Sequence, residues 1–324
     1  MIRMGLLGAS KIAPQALIEP ARRRDDCQVV CVAARDGDRA SAYAQQHGIP
    51  ESLGSYEALI AHPGIDLIYN ALPPHRHADL TIAALKAGKA VLCEKPFAMN
   101  AHEARAMTDA AARTGRPLIE AFHYRFHPMF DDILTQIRNG AIGKLCAIKS
   151  EFSVAIKHRP GELRHDPALG GGALMDLGCY ALHWARTVAG SEPRVTQATC
   201  KLSEQGVDLV TTAQLEFGGG VTAQVRTSMA PGQRFKALLA IQGTEGILVA
   251  RNPLHPHRGH SITLRKGLAL RRYTVPGETT YDHQLAHMIE VLKTNAPPLT
   301  GGADAVANMA LIDAVYAAAG VARP

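Results

Sequence analysis

The stretch Ile2-Arg3-Met4-Gly5-Leu6-Leu7-Gly8-Ala9-Ser10-Lys11-Ile12-Ala13 decides the fold. Its first half is a short apolar strand, its second half a turn of small residues, and a helical pattern then runs to about Arg24. A turn between a strand and a helix is where a dinucleotide-binding loop sits. Gly8 makes the tight turn, Ala13 permits close helix-to-strand packing, and the new helix N-terminus faces a pyrophosphate. Ser10 replaces the middle glycine of G-x-G-x-x-G, so the motif alone is weak and its surroundings must carry the reading.

Those surroundings are strands alternating with helices. A second strand, Gln28 to Ala34, follows at the distance of a βαβ unit, and its end meets the adenosine ribose. NAD-preferring folds place an acidic residue there. This chain places Ala34-Arg35, a small residue that leaves room for a 2′-phosphate and a guanidinium that pairs with it. A solvated turn is the alternative reading of Arg35, and Asp36 beside it leaves NAD open. Helices near Asp38 to His47 and Ser55 to Ala61 lead to the strand Asp66 to Leu72, which runs into Pro73-Pro74-His75-Arg76-His77. The next helix reaches about Leu85 and closes on Lys86-Ala87-Gly88, a C-cap signal. Ala90-Val91-Leu92-Cys93 then ends at Glu94-Lys95-Pro96. Ligands bind at strand ends in an open α/β sheet, so Lys95 can aim its ammonium at a substrate, while Pro96 stops the strand. A strand-ending proline beside a solvent-facing lysine is the plainer alternative. A helix at Ala101 to Thr114 and a strand at Pro117 to Ala121 complete a doubly wound parallel sheet.

From Lys144 the pattern changes. Leu145 to Val154, Arg194 to Leu202, Val207 to Phe217, Val221 to Met229 and Phe235 to Gln242 are strand-like, with turn signals such as Gly218-Gly219-Gly220 between them. Strands without intervening helices imply a mostly antiparallel sheet. Within this half one helix, Gly170 to His183, places Asp176, Tyr180 and His183 at i, i+4 and i+7, on one face. A carboxylate, a phenol and an imidazole so placed form a proton-handling surface, or else a packed face whose polar groups bond locally. The expected fold is α/β: an N-terminal Rossmann domain over residues 1–122, then an α+β domain with a mostly antiparallel open sheet over 123–303. A C-terminal helix in 304–324 is expected to pack back on the first domain.

Composition bounds the function. The chain has 324 residues, 47% of them hydrophobic, enough for two cores. No apolar stretch spans a bilayer, and the strand at Ile2 leaves no room for a signal peptide, so a cytoplasmic protein is expected. Six cysteines without CxxC spacing, including Cys31, Cys93 and Cys179 in apolar runs, are expected to be reduced thiols. The net charge of +6 is dispersed, and its densest run, Arg22-Arg23-Arg24, meets Asp25-Asp26 at once. Nucleic acid is therefore not the expected partner, and an anionic small ligand suits the charge as well. The loop Leu254-His255-Pro256-His257-Arg258-Gly259-His260 and the pair His283 and His287 lack acidic or cysteine partners at fixed spacing, so no metal is expected.

Gly8 to Ala13, Asn70 to His77, Ala87 to Pro96 and Gly170 to His183 together resemble the glucose-fructose oxidoreductase, inositol dehydrogenase and rhizopine-catabolism family over essentially the whole chain. Glu120 to Pro128 and Met175 to Tyr180 look like its branch of dihydrodiol dehydrogenases, NADP-xylose dehydrogenases and glucose-fructose oxidoreductases. The resemblance implies hydride transfer between nicotinamide C4 and a ring carbinol of a sugar or cyclic trans-dihydrodiol, with NADP preferred and NAD also admissible. It implies that Tyr180 exchanges the hydroxyl proton, and that Lys95 polarises the oxygen and lowers the phenol's pKa. Asp176 would hold Lys95 or a substrate hydroxyl. Gly8, Ser10, Lys11, Ile12, Ala34, Arg35, Leu72, His77, Glu94 and Lys95 would line the cofactor, and Arg125, His158, Arg164 and His183 would touch substrate. Family analogy adds a homodimer or higher homo-oligomer. Two alternatives within the family are a redox-silent, sugar-responsive regulator and an NAD-dependent glycoside hydrolase.

Overall fold

The apolar runs of the first third become a six-stranded, all-parallel sheet in the computed structural model, which describes residues 1–322. Its strands are β1 (Ile2–Leu7), β2 (Cys27–Ala33), β3 (Glu51–Leu53), β4 (Leu67–Asn70), β5 (Ala90–Cys93) and β6 (Leu118–Glu120). They lie in the order β3-β2-β1-β4-β5-β6. β4 and β5 are buried along their whole length, as strands covered on both faces must be. Strand order reverses between β1 and β4, so a crevice opens outside their carboxyl ends. Gly8, Ala34, Ala71 and Glu94 each follow one of these strands and therefore share that edge.

The helices of this unit start where short polar side chains can cap them. After α1 (Glu19–Arg22), Asp36 caps α2 (Gly37–His47), and Ser55 accepts from the Ala58 N–H to cap α3 (Tyr56–Ala61). α4 (His77–Lys86) follows. Asn100 and Glu103 cap α5 (Ala101–Thr114) reciprocally, with Asn100 Oδ1 taking the Glu103 N–H and Glu103 the Met99 N–H. The first helix differs from the expected run to Arg24. It is a π-helical turn, Pro14–Ile18, continued by α1, because Pro14 and Pro20 contribute no N–H donors to a regular ladder.

The second sheet has eight strands in the order β14-β13-β12-β11-β7-β10-β9-β8. It comprises β7 (Leu145–Ser153), β8 (Arg194–Leu202), β9 (Asp208–Glu216), β10 (Thr222–Ser228), β11 (Lys236–Gly243), β12 (Gly246–Arg251), β13 (Ser261–Lys266) and β14 (Ala269–Tyr273). Every pairing among the described strands is antiparallel except β7 with β10. α6 (Pro128–Arg138) precedes the sheet, and α7 (Cys179–Ala189) packs on one face of it. Buried hydroxyls stitch that contact: Ser150 donates to the Ala181 carbonyl at 2.8 Å and Thr227 to the Ala173 carbonyl at 3.1 Å.

Residues 1–123 and 281–306 form one compact unit, and 124–280 with the segment from Ala307 onward form another. This grouping departs from the expected 123–303 and 304–324 divisions. α8 (Thr280–Thr294) carries Asp282 to Arg23 at 2.6 Å and Lys293 to Asp26 at 2.8 Å, which draws it into the first unit. Most of α9 (Gly302–Ala318) belongs to the second, where Asn308 donates to the Cys179 carbonyl and Tyr316 to Asp208. Among the described residues no helix is long and apolar enough to cross a membrane.

Candidate active site

The turn after β1 is built to take an anion. Gly8 stands at φ +96°, and a Cβ there would meet the Leu72 side chain at 2.8 Å, so only glycine fits. Its N–H bonds the Ala33 carbonyl at 2.9 Å, and Ser10 Oγ caps the following turn by accepting from the Ala13 N–H. The carbonyl oxygens of Ala9 and Ser10, which would repel a phosphate, are occupied by Arg39 at 3.0 Å and Tyr43 at 2.9 Å. Burial pushes the Tyr43 phenol up to about 12, which keeps it a donor. The turn therefore fits the phosphates of a dinucleotide.

The ribose end is equally defined. Ala34, Ala9 and Ala40 form a small buried cluster against which Tyr43 packs. Arg35 is exposed beside it. Asp36 is committed elsewhere: its Oδ1 accepts from the Asp38 N–H at 3.0 Å and the Arg39 N–H at 3.5 Å. Arg39, whose guanidinium lies on the Ala9 carbonyl, was not singled out from sequence. Its place four residues beyond Arg35, on the first turn of a capped helix, was the available signal.

At the end of β5, the Glu94 side chain accepts from the Tyr69 hydroxyl and the Lys95 N–H, and Lys95 is half-buried. The Lys95–Pro96 peptide is cis. Cys93, just before, is wholly buried, and burial raises its thiol well above the ordinary range, so it is inert. His77 corrects an expectation. It is wholly buried, and its ring nitrogens lie 2.9 Å from the Pro96 carbonyl and 2.8 Å from the Leu72 carbonyl. It ties the loops after β4 and β5 together instead of presenting a face to cofactor, and burial lowers its pKa. Asn70 adds to this brace, donating to the carbonyls of Arg76 and His77 and to Thr81 Oγ1.

In the second unit the expected helix over Gly170–His183 is shorter at its start. Gly170 and Gly172 stand at φ +86° and +121°, outside helical space; a π-helical turn, Leu174–Gly178, begins the helix and α7 continues it. Asp208 fixes this start. Wholly buried, it accepts from the Leu174 N–H at 2.8 Å, the Thr211 hydroxyl at 2.5 Å and the Tyr316 hydroxyl at 2.6 Å, while burial raises its pKa. A Cβ on Gly172 would collide with that carboxylate. Asp176 pairs with Arg164 at 2.7 Å, and the carboxylate holds the guanidinium above its ordinary range. Arg164 also bonds Glu162 at 3.0 Å. Tyr180 is buried among the rings of Tyr124, Phe152 and Trp184. His183 Nδ1 lies 2.5 Å from the Tyr124 hydroxyl.

The remaining candidates fall elsewhere in that unit. Arg125 pairs with Asp131 at 2.8 Å and covers the Phe130 ring. His158 stacks edge-on to His165 in a shallow groove that includes Glu162 and Gln205. The histidine-rich loop is spent on backbone: His260 bridges the Pro256 carbonyl and the Val275 N–H, and His257 takes the Thr280 N–H.

A parallel six-stranded sheet with a phosphate-ready turn, joined to a sheet-and-helix unit with a buried tyrosine, defines a class of dinucleotide-dependent oxidoreductases. Residues 2–122 match the oxidoreductase family with an NAD-binding Rossmann fold, and residues 130–249 match the GFO/IDH/MocA C-terminal domain. Among curated proteins, the chain is 34% identical over 319 residues to "D-xylose 1-dehydrogenase (NADP(+)) 2" of Haloferax volcanii, covering 97% of this chain and 96% of that one. It is 39% identical over 227 residues to the trans-1,2-dihydrobenzene-1,2-diol dehydrogenase of Xenopus laevis, covering 69% and 67%. Among solved structures, the aldose-aldose oxidoreductase of Caulobacter crescentus, complexed with glycerol, superposes with a TM-score of 0.90 at 26% identity, covering 98% and 97%. The chain belongs to the GFO/IDH/MocA family of oxidoreductases.

Proposed function

We propose that this oxidoreductase prefers NADP and acts on a ring hydroxyl or carbonyl of an aldose, a ketosugar or a cyclic trans-dihydrodiol. The observation that carries the reading is Lys95, delivered by β5 to the carboxyl edge of the parallel sheet, in a chain that also holds Tyr180 on α7. The D-xylose and dihydrodiol dehydrogenases to which it is similar support the substrate class. Bound nicotinamide supplies the hydride donor or acceptor. The chain's own residues handle the oxygen and its proton: the Lys95 ammonium polarises the substrate oxygen, and the Tyr180 phenol gives the proton in reduction and receives it in oxidation. Asp176, held by Arg164, orients a substrate hydroxyl. Arg35 and Arg39 meet the 2′-phosphate, since Asp36 is spent on its helix cap.

In this reading two copies associate through the second-unit sheet, where Phe235, Leu268 and Leu270 are exposed. Absorbance at the reduced-nicotinamide band, with NADP and a panel of D-xylose, other aldoses and trans-1,2-dihydrobenzene-1,2-diol, tests the activity. Turnover with one of these is the expected result. A glycoside cleaved without net change in cofactor, or cofactor binding with no turnover across the panel, overturns it.

A further inference from the structure

We propose that Tyr124 and His183 form a positioning pair for Tyr180, holding the ring of the proposed acid/base at a fixed place; this rests on the role given to Tyr180 above. All three side chains are shut from solvent, at 0%, 2% and 3% exposure respectively. The Tyr124 hydroxyl lies 2.5 Å from His183 Nδ1. His183 follows Tyr180 by three positions on α7, so the two side chains leave the helix on neighbouring sides.

Tyr180 has an aromatic wall on two sides. Its ring meets Tyr124 edge-on, with centroids 6.0 Å apart, and Phe152 edge-on at 5.8 Å. Tyr124 is itself wedged against Phe130 at 4.9 Å and Trp184 at 5.8 Å. Contacts between rings leave sliding available, whereas a hydroxyl-to-imidazole bond fixes the distance of the Tyr124 hydroxyl from α7. That bond joins the turn His123–Phe126 to the helix that bears Tyr180.

Stability alone does not call for such a pair. A phenol and an imidazole buried among aromatic rings each carry a desolvation penalty that Phe and Leu would avoid. What the polar pair adds is direction, because the bond holds only near one distance and angle. That geometry is set beside the one residue in the cluster assigned to chemistry. His183 is therefore assigned to holding Tyr180. When the Tyr124 hydroxyl donates to Nδ1, the imidazole is neutral with its proton on Nε2.

Tyr124→Phe removes the bond and keeps the ring. Its turnover with NADP and D-xylose, or with trans-1,2-dihydrobenzene-1,2-diol, is expected to fall about ten- to a hundredfold, the scale of a small misplacement of a reacting group. Cofactor affinity should stay within about twofold, because the change misplaces a reacting group and leaves binding alone. His183→Asn, which keeps a hydrogen-bonding atom near Nδ1, should recover most of the turnover that His183→Leu loses. In a Tyr180→Phe background, Tyr124→Phe should add little further loss. The protein's one tryptophan, Trp184, borders Tyr124 and reports the same change without substrate: its emission should shift in Tyr124→Phe. Wild-type turnover in Tyr124→Phe, unchanged Trp184 emission, or equal losses in both backgrounds overturns the pairing. Tyr180→Phe alone reports separately on the acid/base reading: full activity there removes that reading, whatever Tyr124→Phe does to Trp184.

Discussion

Arg35→Ala isolates the cofactor argument. Position 34 carries no acidic residue to grip an NAD ribose; it is Ala34, buried with Ala9 and Ala40. The next carboxylate, Asp36, already accepts two backbone N–H groups at the start of α2. In the proposed reading a 2′-phosphate meets the Arg35 guanidinium, while Asp36 Oδ1 is turned to the start of α2. A charge-assisted hydrogen bond is worth about 1.5–3 kcal/mol, and Arg35 is exposed, so screening places the loss near the lower end. About 1.5 kcal/mol corresponds to roughly tenfold in Kd for NADP. NAD carries no 2′-phosphate, and its Kd should move by less than about twofold, within the scatter of a surface substitution. Calorimetric titration of both cofactors, before and after mutation, reads the difference directly. The loss should shrink as salt rises, because the contact lies at the surface. An NADP-to-NAD affinity ratio that does not change on Arg35→Ala refutes the reasoning, and a ratio below one in the wild type refutes it at the outset.

Tyr180→Phe should cut turnover by about 10² to 10⁴, the worth of a positioned general acid or base, with Lys95→Ala at least as damaging and the double variant far from additive; steady-state kinetics of the three variants decide this. Dialysis against a chelator should leave turnover unchanged, since His257 and His260 are engaged by backbone groups; a loss that zinc restores would reveal a metal role. Burial lowers the His77 pKa against the opposing pull of the carbonyls at its ring nitrogens, so below about pH 6.5 the folded chain takes up a proton less readily than the unfolded chain. Stability should therefore fall as pH drops below about 6.5, by up to about 1.4 kcal/mol per pH unit, and His77→Gln should flatten that slope in urea unfolding at pH 7.5 and 5.5.

The parallel sheet was legible because its strands are buried on both faces. Runs such as Val91-Leu92-Cys93 stay apolar throughout, and each is followed by a small or breaking residue at the edge where ligands sit. Of the second sheet, the strands with alternating burial were legible, for instance β11, whereas β12, β13 and β14 were not. β14 is Ala-Leu-Arg-Arg-Tyr, exposed along nearly its whole length, so no hydrophobic period marks it. α8 misled the domain boundary for a related reason: its place is set by ion pairs of Asp282 and Lys293 to residues more than two hundred positions earlier, which no local pattern records.

Residue types at the candidate site were readable, but their commitments were not. Asp36, Asp176, His77 and His260 each present a group that sequence alone offers equally to a ligand or to the fold. What divides them is the long-range partner: a helix start for Asp36, Arg164 for Asp176, two loop carbonyls for His77, and Val275 for His260. A motif fixes which atoms arrive at a strand end or helix face. Whether such an atom stays available depends on neighbours brought in by packing, and a buried polar group will take the nearest partner because going without costs about 1–3 kcal/mol. Lys95 stood out because its strand ends at a Glu-Lys-Pro turn, and Tyr180 because it shares a helix face with Asp176 and His183. Tyr124, fifty-nine residues from His183, was visible only as an aromatic in a matched stretch, because its part is defined by the bond it makes and not by its spacing.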